Sequence, residues 1–124
     1  MPGTKDWLRK ANSDVKLAIK AIGDEETLDS AIYLTHQCAE KSLKTFYVKL
    51  GKEVPRTHDL PILLDGCTKV NRNFLLLQTE CGILDPYGRN ARYPSDRFRV
   101  NQEDLVQAIE MATKILEFVR TKVL

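Results

Sequence analysis

The sequence predicts an all-α protein, an up-and-down four-helix bundle with an additional short helix. The chain of 124 residues suits a single domain spanning 1–124, because two independent cores would need more residues. Its 43% hydrophobic and 29% charged residues are typical of a folded protein. Glycine and proline are scarce, and apolar residues do not alternate with polar ones. A β-sandwich or a glycine-looped nucleotide fold is therefore disfavoured.

Apolar residues recur at steps of three and four along the first two predicted helices. The first runs from Asp6 to Ile22, and the second and longest runs from Leu28 to Leu50. Glycine ends helices well because it tolerates the left-handed conformation. Four glycines fall where a helical pattern ends or weakens: Gly23, Gly51, Gly66 and Gly88.

The second half of the chain carries three further helical segments. A helix from about residue 59 to Val70 has Thr57 or Asp59 as its cap and Pro61 in its first turn. A helix from Arg72 to Leu84 follows it. After an irregular loop over 87–99, Asn101 and Asp104 form a variant capping box that starts the last helix.

The formal charge of +2 does not by itself indicate a nucleic-acid binder. The charges are nevertheless segregated along the chain. Residues 41–56 and 87–100 are basic, and residues 24–29 and 103–110 are acidic. The basic segments fit either solvated helix faces and loops or an anion-binding surface.

The cysteines and the first residues indicate a cytoplasmic protein. The sequence has an odd number of cysteines, Cys38, Cys67 and Cys81, which form no C-x-x-C pair and lie in apolar helical patterns. This pattern is typical of free thiols in the core of a protein from a reducing compartment. The sequence has neither an apolar signal core at its start nor a run long enough to cross a membrane. No membrane association is therefore expected.

Catalytic and metal motifs are absent from the sequence. It contains no Walker loop, no G-x-G-x-x-G and no nucleophile elbow. His, Cys, Asp and Glu do not occur at metal-ligand spacing, so no metal or cofactor is expected. Of the two histidines, His36 lies mid-helix and fits a packed or surface position, and His58 precedes a helix, where it could bond the helix start or a neighbour. No catalytic residue is assigned.

The most informative residues for function combine a helix edge with the arginine loop. Gln37, Glu40, Lys41 and Lys44 are three or four residues apart, which predicts a single exposed face of the second helix beside its apolar stripe. The loop adds Tyr87, Arg89, Arg92 and Tyr93. Guanidinium groups hold phosphate, and tyrosine rings stack on bases. The alternative is structural: Glu40 and Lys44 form an i,i+4 pair, and Tyr93-Pro94 packs the loop on the bundle.

Three motifs in this order resemble the HEPN domain (higher eukaryotes and prokaryotes nucleotide-binding). They are Q-x-A-E-K-x-L-K from Gln37 to Lys44, T-H-D-L from Thr57 to Leu60, and Y-x-x-x-x-R-Y-P from Tyr87 to Pro94. The resemblance implies a helical bundle, commonly a homodimer, encoded in prokaryotes beside a minimal nucleotidyltransferase in a toxin–antitoxin-like pair. Many members are metal-independent ribonucleases whose signature is an arginine followed four to six residues later by a histidine.

This chain lacks that signature, because Arg56 precedes His58 too closely and no other arginine has a histidine at the required distance. The first hypothesis is therefore a non-catalytic nucleotide- or phosphate-binding module that works with a nucleotidyltransferase. The alternatives are an atypical ribonuclease or nucleotide hydrolase with His58 as base and Arg92 as phosphate clamp, and a purely structural protein-interaction bundle. The candidate ligand-binding residues, for a nucleotide or RNA, are Gln37, Lys41, Lys44, His58, Tyr87, Arg89, Arg92 and Tyr93.

Overall fold

A computed structural model describes residues 1–94 and 98–124, and within these residues the regular structure is entirely helical. The all-α bundle is confirmed. Asp96 and Arg97 of the predicted basic segment lie outside the described residues. The helices are α1 Thr4–Lys20, α2 Leu28–Lys49, α3 Leu60–Val70, α4 Gln78–Leu84, α5 Tyr87–Asn90 and α6 Gln102–Val123, with 3-10 turns at Glu25–Thr27 and Arg72–Leu77.

The helix ends follow the predicted stop and start signals. Gly23 and Gly51 have φ angles of 92° and 70°, the left-handed conformation expected after a helix. Asp59, rather than Thr57, caps α3, because its carboxylate accepts the N–H of Ile62 at 3.0 Å. Asn101 and Asp104 form the capping box of α6.

Helix α2 is the centre of the bundle and packs against α1, α6, α3 and α5. Phe74 lies in the core between Phe46 and Phe118, with ring centroids 4.5 and 5.0 Å away. All three cysteines are buried, as expected of core thiols. Burial raises the pKa of each thiol to about 12, so the thiols stay protonated at neutral pH: Cys38, Cys67 and Cys81.

The helix predicted over Arg72–Leu84 is two segments, a 3-10 turn followed by α4. The side chain of Asn71 accepts the N–H of Asn73 at 3.0 Å and so starts the tight turn. With three residues per turn, Phe74 and Leu77 both point into the core. The loop predicted over 87–99 likewise differs, because its first residues form the short helix α5.

The apolar residues of this region divide between core and surface. Phe74 and Leu77 are fully buried, whereas Leu75 and Leu76 are exposed. Leu75 and Leu76 are therefore apolar side chains that remain exposed on the surface of the single bundle. In the described part of the chain, no helix has the length and apolar character needed to cross a bilayer.

The prediction that Gly66 and Gly88 mark helix ends is wrong, since both lie inside helices, α3 and α5. Each makes room for a side chain of α2. The hydroxyl of Tyr47 donates to the carbonyl of Leu63 at 2.8 Å and lies directly over Gly66. The ring of His36 lies in the same way against Gly88.

Replacing Gly66 with alanine is expected to lower the free energy of unfolding by about 1–3 kcal/mol, because the new Cβ collides with the Tyr47 hydroxyl. Denaturant unfolding monitored by circular dichroism measures the change. Gly82→Ala is the matched control, since a Cβ there meets nothing within 4 Å. Tyr47→Phe combined with Gly66→Ala should recover part of the loss. Equal stability of the two alanine variants would contradict the steric explanation.

Candidate functional site

Three polar residues of α2 are buried one turn apart on the side that faces α3 and α5. They are His36, Glu40 and Lys44, with 1%, 4% and 8% of their surface exposed. A buried charge costs several kcal/mol unless it is paired and hydrogen-bonded. The structure must therefore provide partners for Glu40 and Lys44.

The carboxylate of Glu40 is the centre of this group. It accepts a hydrogen bond from Lys44 Nζ at 2.8 Å and contacts His58 Nδ1 at 2.9 Å. His36 Nδ1 lies 3.9 Å from the same carboxylate. Burial alone raises the pKa of Glu40, but the bonds from Lys44 and His58 outweigh burial, and the net pKa is below its usual value. We call these four residues, His36, Glu40, Lys44 and His58, the Glu40 cluster.

His36 is a neutral histidine at pH 7. Burial lowers its pKa, and the opposing effects of Glu40, Asp85 and the backbone of His58 do not compensate. Its Nδ1 is buried without a well-formed hydrogen bond among the described residues. A Cβ at position 88 would collide with the ring, so glycine there allows α5 to pack on His36.

Asp85 joins the beginning of α3 to α5. One carboxylate oxygen accepts the N–H of Leu60 at 3.0 Å, and the other accepts Arg89 Nη1 at 2.9 Å. Leu60 is two residues after His58. The guanidinium of Arg89, with 62% of its side chain exposed, is therefore tied through Asp85 to the start of α3, just after His58.

Arg92 extends the site along α2. Its guanidinium lies 5.5 Å from the ring centroid of Tyr33 and 5.6 Å from that of Tyr93. The Tyr33 ring is nearly parallel to that of His36 at a centroid distance of 6.5 Å, which connects Arg92 to the Glu40 cluster. Beside Arg92 is a depression of about 330 Å³, lined by Ser30, Tyr33, Leu34, Ala91 and Arg92.

The predicted site residues divide into two sets. The structure connects His58, Arg92 and Tyr93 along the side of α2 that carries Tyr33, His36 and Glu40, because His58 contacts Glu40 and Arg92 contacts both Tyr33 and Tyr93. Arg89 lies on α5, which packs on His36. Tyr87 instead packs edge-on against Phe98 at 6.2 Å, and burial raises the pKa of its hydroxyl.

The predicted single exposed face of α2 is not present. Lys41 points away from Glu40, because successive helix residues are about 100° apart. It pairs with Asp14 of α1 at 2.7 Å and lines a separate depression of about 730 Å³ near Trp7. Gln37, half-buried, lies one turn before Lys41. Lys44 is buried in its ion pair with Glu40, which is the structural alternative that the i,i+4 spacing offered.

Sequence reasoning missed Tyr33, Asp85 and Gly88 and placed His36 outside the site. A signal was present, since Tyr33, His36, Glu40 and Lys44 repeat at steps of three and four, the spacing of one helix side. Among residues 1–94 and 98–124, no group of three or more His, Cys, Asp or Glu residues is arranged to hold a metal ion.

The comparisons with known proteins identify the family. The sequence profile of the HEPN domain matches residues 4–122, so the chain belongs to the HEPN family. The crystal structure of an archaeal HEPN homologue is similar, with 25% identity, a TM-score of 0.79 and 100% of both chains covered. A crystal structure of a protein from Thermus thermophilus has 26% identity and a TM-score of 0.80 over 98% of this chain and 99% of that one. No curated protein sequence gives a significant match.

Acidification below about pH 6.5 is expected to destabilise the protein through His36. The pKa of His36 is lowered in the folded state, so the unfolded chain takes up a proton that the folded protein does not. The free energy of unfolding then falls with pH by up to about 1.4 kcal/mol per unit, and this effect is absent above about pH 7.5. Urea unfolding between pH 7.5 and 5.5 measures it. His36→Leu should flatten the dependence, and an unchanged slope in that variant would contradict this account.

Proposed function

We propose that this HEPN protein is a nucleotide- or phosphate-binding module. The observation that carries the proposal is the contact of Arg92 with two tyrosine rings, on the side of α2 that also bears the Glu40 cluster. Tyr33 and Tyr93 fix the guanidinium by cation–π contact and leave its in-plane N–H groups for an anion. Tyr93, 69% exposed, offers a ring face to a base.

The charges around the Glu40 cluster favour an anionic ligand. The negative charge of Glu40 is balanced by Lys44, and that of Asp85 by Arg89. Arg92, for which no carboxylate partner is seen among the described residues, then adds a positive charge. A phosphate group fits this arrangement, because arginine holds phosphate oxygens through two parallel hydrogen bonds.

The proposal extends to partners. We infer that the protein acts in the cytoplasm of a prokaryote, as a homodimer, with a minimal nucleotidyltransferase in a toxin–antitoxin-like pair. Family membership and the small size of the module support this. The exposed Leu75 and Leu76 supply apolar surface that an interface would cover. Light scattering tests the dimer, and a strict monomer would contradict it.

Calorimetry with ATP, other nucleotides and short RNA is expected to show binding that weakens as salt is raised. Arg92→Ala should weaken it further, by about tenfold to a hundredfold, because a charge-assisted hydrogen bond contributes roughly 1.5–3 kcal/mol. Arg72→Ala is the control, since Arg72 is exposed in the 3-10 turn that packs on α3 and α4. No heat with any ligand would reject the binding proposal. If a partner protein then co-purified, the protein-interaction bundle would be favoured.

One observation favours a second function, an atypical metal-independent ribonuclease or nucleotide hydrolase. His58 has 68% of its side chain exposed while Nδ1 contacts the buried Glu40 carboxylate. A histidine oriented in this way by a carboxylate is suited to act as a general base.

Incubation of the protein with RNA or nucleoside triphosphates in EDTA tests this second function. Turnover that falls by about 10²-fold or more in His58→Ala would support it, since general-base catalysis contributes about 10²–10⁴-fold. Arg72→Ala, which changes an exposed residue of the 3-10 turn, is the control. Substrates that remain intact with the unaltered protein would reject it.

A further inference from the structure

The contact between Glu40 and His58 determines which nitrogen of His58 carries the proton. The Glu40 carboxylate is ionised, because its pKa is held below the usual value, and an ionised carboxylate only accepts hydrogen bonds. At 2.9 Å, Nδ1 of His58 must therefore donate. In the neutral imidazole Nε2 is then unprotonated and acts as an acceptor.

Lys44 holds the Glu40 carboxylate in the position where it accepts the hydrogen bond from His58. Its ammonium binds the other oxygen of Glu40 at 2.8 Å, and both side chains are buried. Glu40 comes from the middle of α2, so its position is set by the bundle rather than by the loop that carries His58. The pair thus presents a fixed acceptor to a histidine whose own side chain is mostly exposed.

We propose that Glu40 and Lys44 are positioning residues that hold His58 with Nε2 as a hydrogen-bond acceptor, so that the site selects ligands bearing a hydroxyl beside a phosphate, as a ribonucleotide does. The inference rests on the proposed nucleotide-binding function. A neutral imidazole acceptor gains nothing from a fully ionised phosphate, but it pairs with a ribose O–H. Arg92, which is connected to the Glu40 cluster through Tyr33 and His36, and the exposed Arg89 provide the contacts for the phosphate.

Nuclear magnetic resonance of ¹⁵N-labelled histidine tests the positioning without any ligand. At a pH where His58 is neutral, the full chain should show Nδ1–H and a bare Nε2, the opposite of the form that free histidine prefers. Glu40→Leu with Lys44→Met removes the buried pair together, which avoids leaving one charge unpaired. In this double variant His58 should revert to the Nε2–H form.

The matched control is Glu80→Leu with Lys114→Met, because these residues form an ion pair at 2.6 Å between α4 and α6 that does not contact His58. Its His58 signals should equal those of the unaltered protein. An Nε2–H form in the unaltered protein, or an unchanged Nδ1–H form in Glu40→Leu/Lys44→Met, would overturn the positioning role.

Calorimetry with ATP, 2′-deoxy-ATP and 3′-deoxy-ATP tests the selection. The unaltered protein should bind at least one deoxy form about fivefold more weakly than ATP, the effect of one lost hydrogen bond. The variant Glu40→Leu/Lys44→Met should bind all three nucleotides alike. Equal affinities in the unaltered protein would overturn the selection while leaving the proposed binding function intact. If no nucleotide bound, both the proposed function and the selection would fail, whereas the ¹⁵N signals would still decide the positioning role.

Discussion

The arrangement of the site depends on one buried carboxylate. Glu40 lies inside the bundle, where an unpaired charge would be strongly destabilising, and this requirement places Lys44 and His58 around it. Lys44 satisfies the carboxylate from the same helix, but His58 comes from the segment before α3. The hydrogen bond between His58 and Glu40 therefore also ties this segment to α2.

Packing on His36 positions the short helix α5 against α2. The ring is neutral and fully buried, and α5 approaches it closely because position 88 carries no Cβ. Asp85 then connects α5 to the first turn of α3 through Leu60. As a result, two short segments are positioned by their contacts with α2 and with each other. They are the residues before α3, held by the His58–Glu40 hydrogen bond, and α5, which packs on His36.

The fold could be predicted largely from local signals. The left-handed Gly23 and Gly51 and the capping residues Asp59 and Asn101 act within a few residues, so the sequence displays them. The site could be predicted only in part. The arginines and tyrosines of the loop were visible by composition, but the partners of Glu40 and the role of Gly88 depend on contacts between residues far apart in the chain. A lysine at position 44 is chemically suited to bind an anionic ligand, and only its burial shows that it pairs with Glu40 instead.

The three buried thiols have a consequence for following the motions of this protein. Cys38, Cys67 and Cys81 lie in α2, α3 and α4, one in each helix. A protonated, inaccessible thiol does not react with alkylating reagents, because the thiolate is the nucleophile. Each cysteine becomes reactive only when its own surroundings open. The rate at which each cysteine is alkylated therefore reports the local opening of its own helix. The three rates separate the central helix α2 from α3 and α4, the two helices that follow the segment bearing His58.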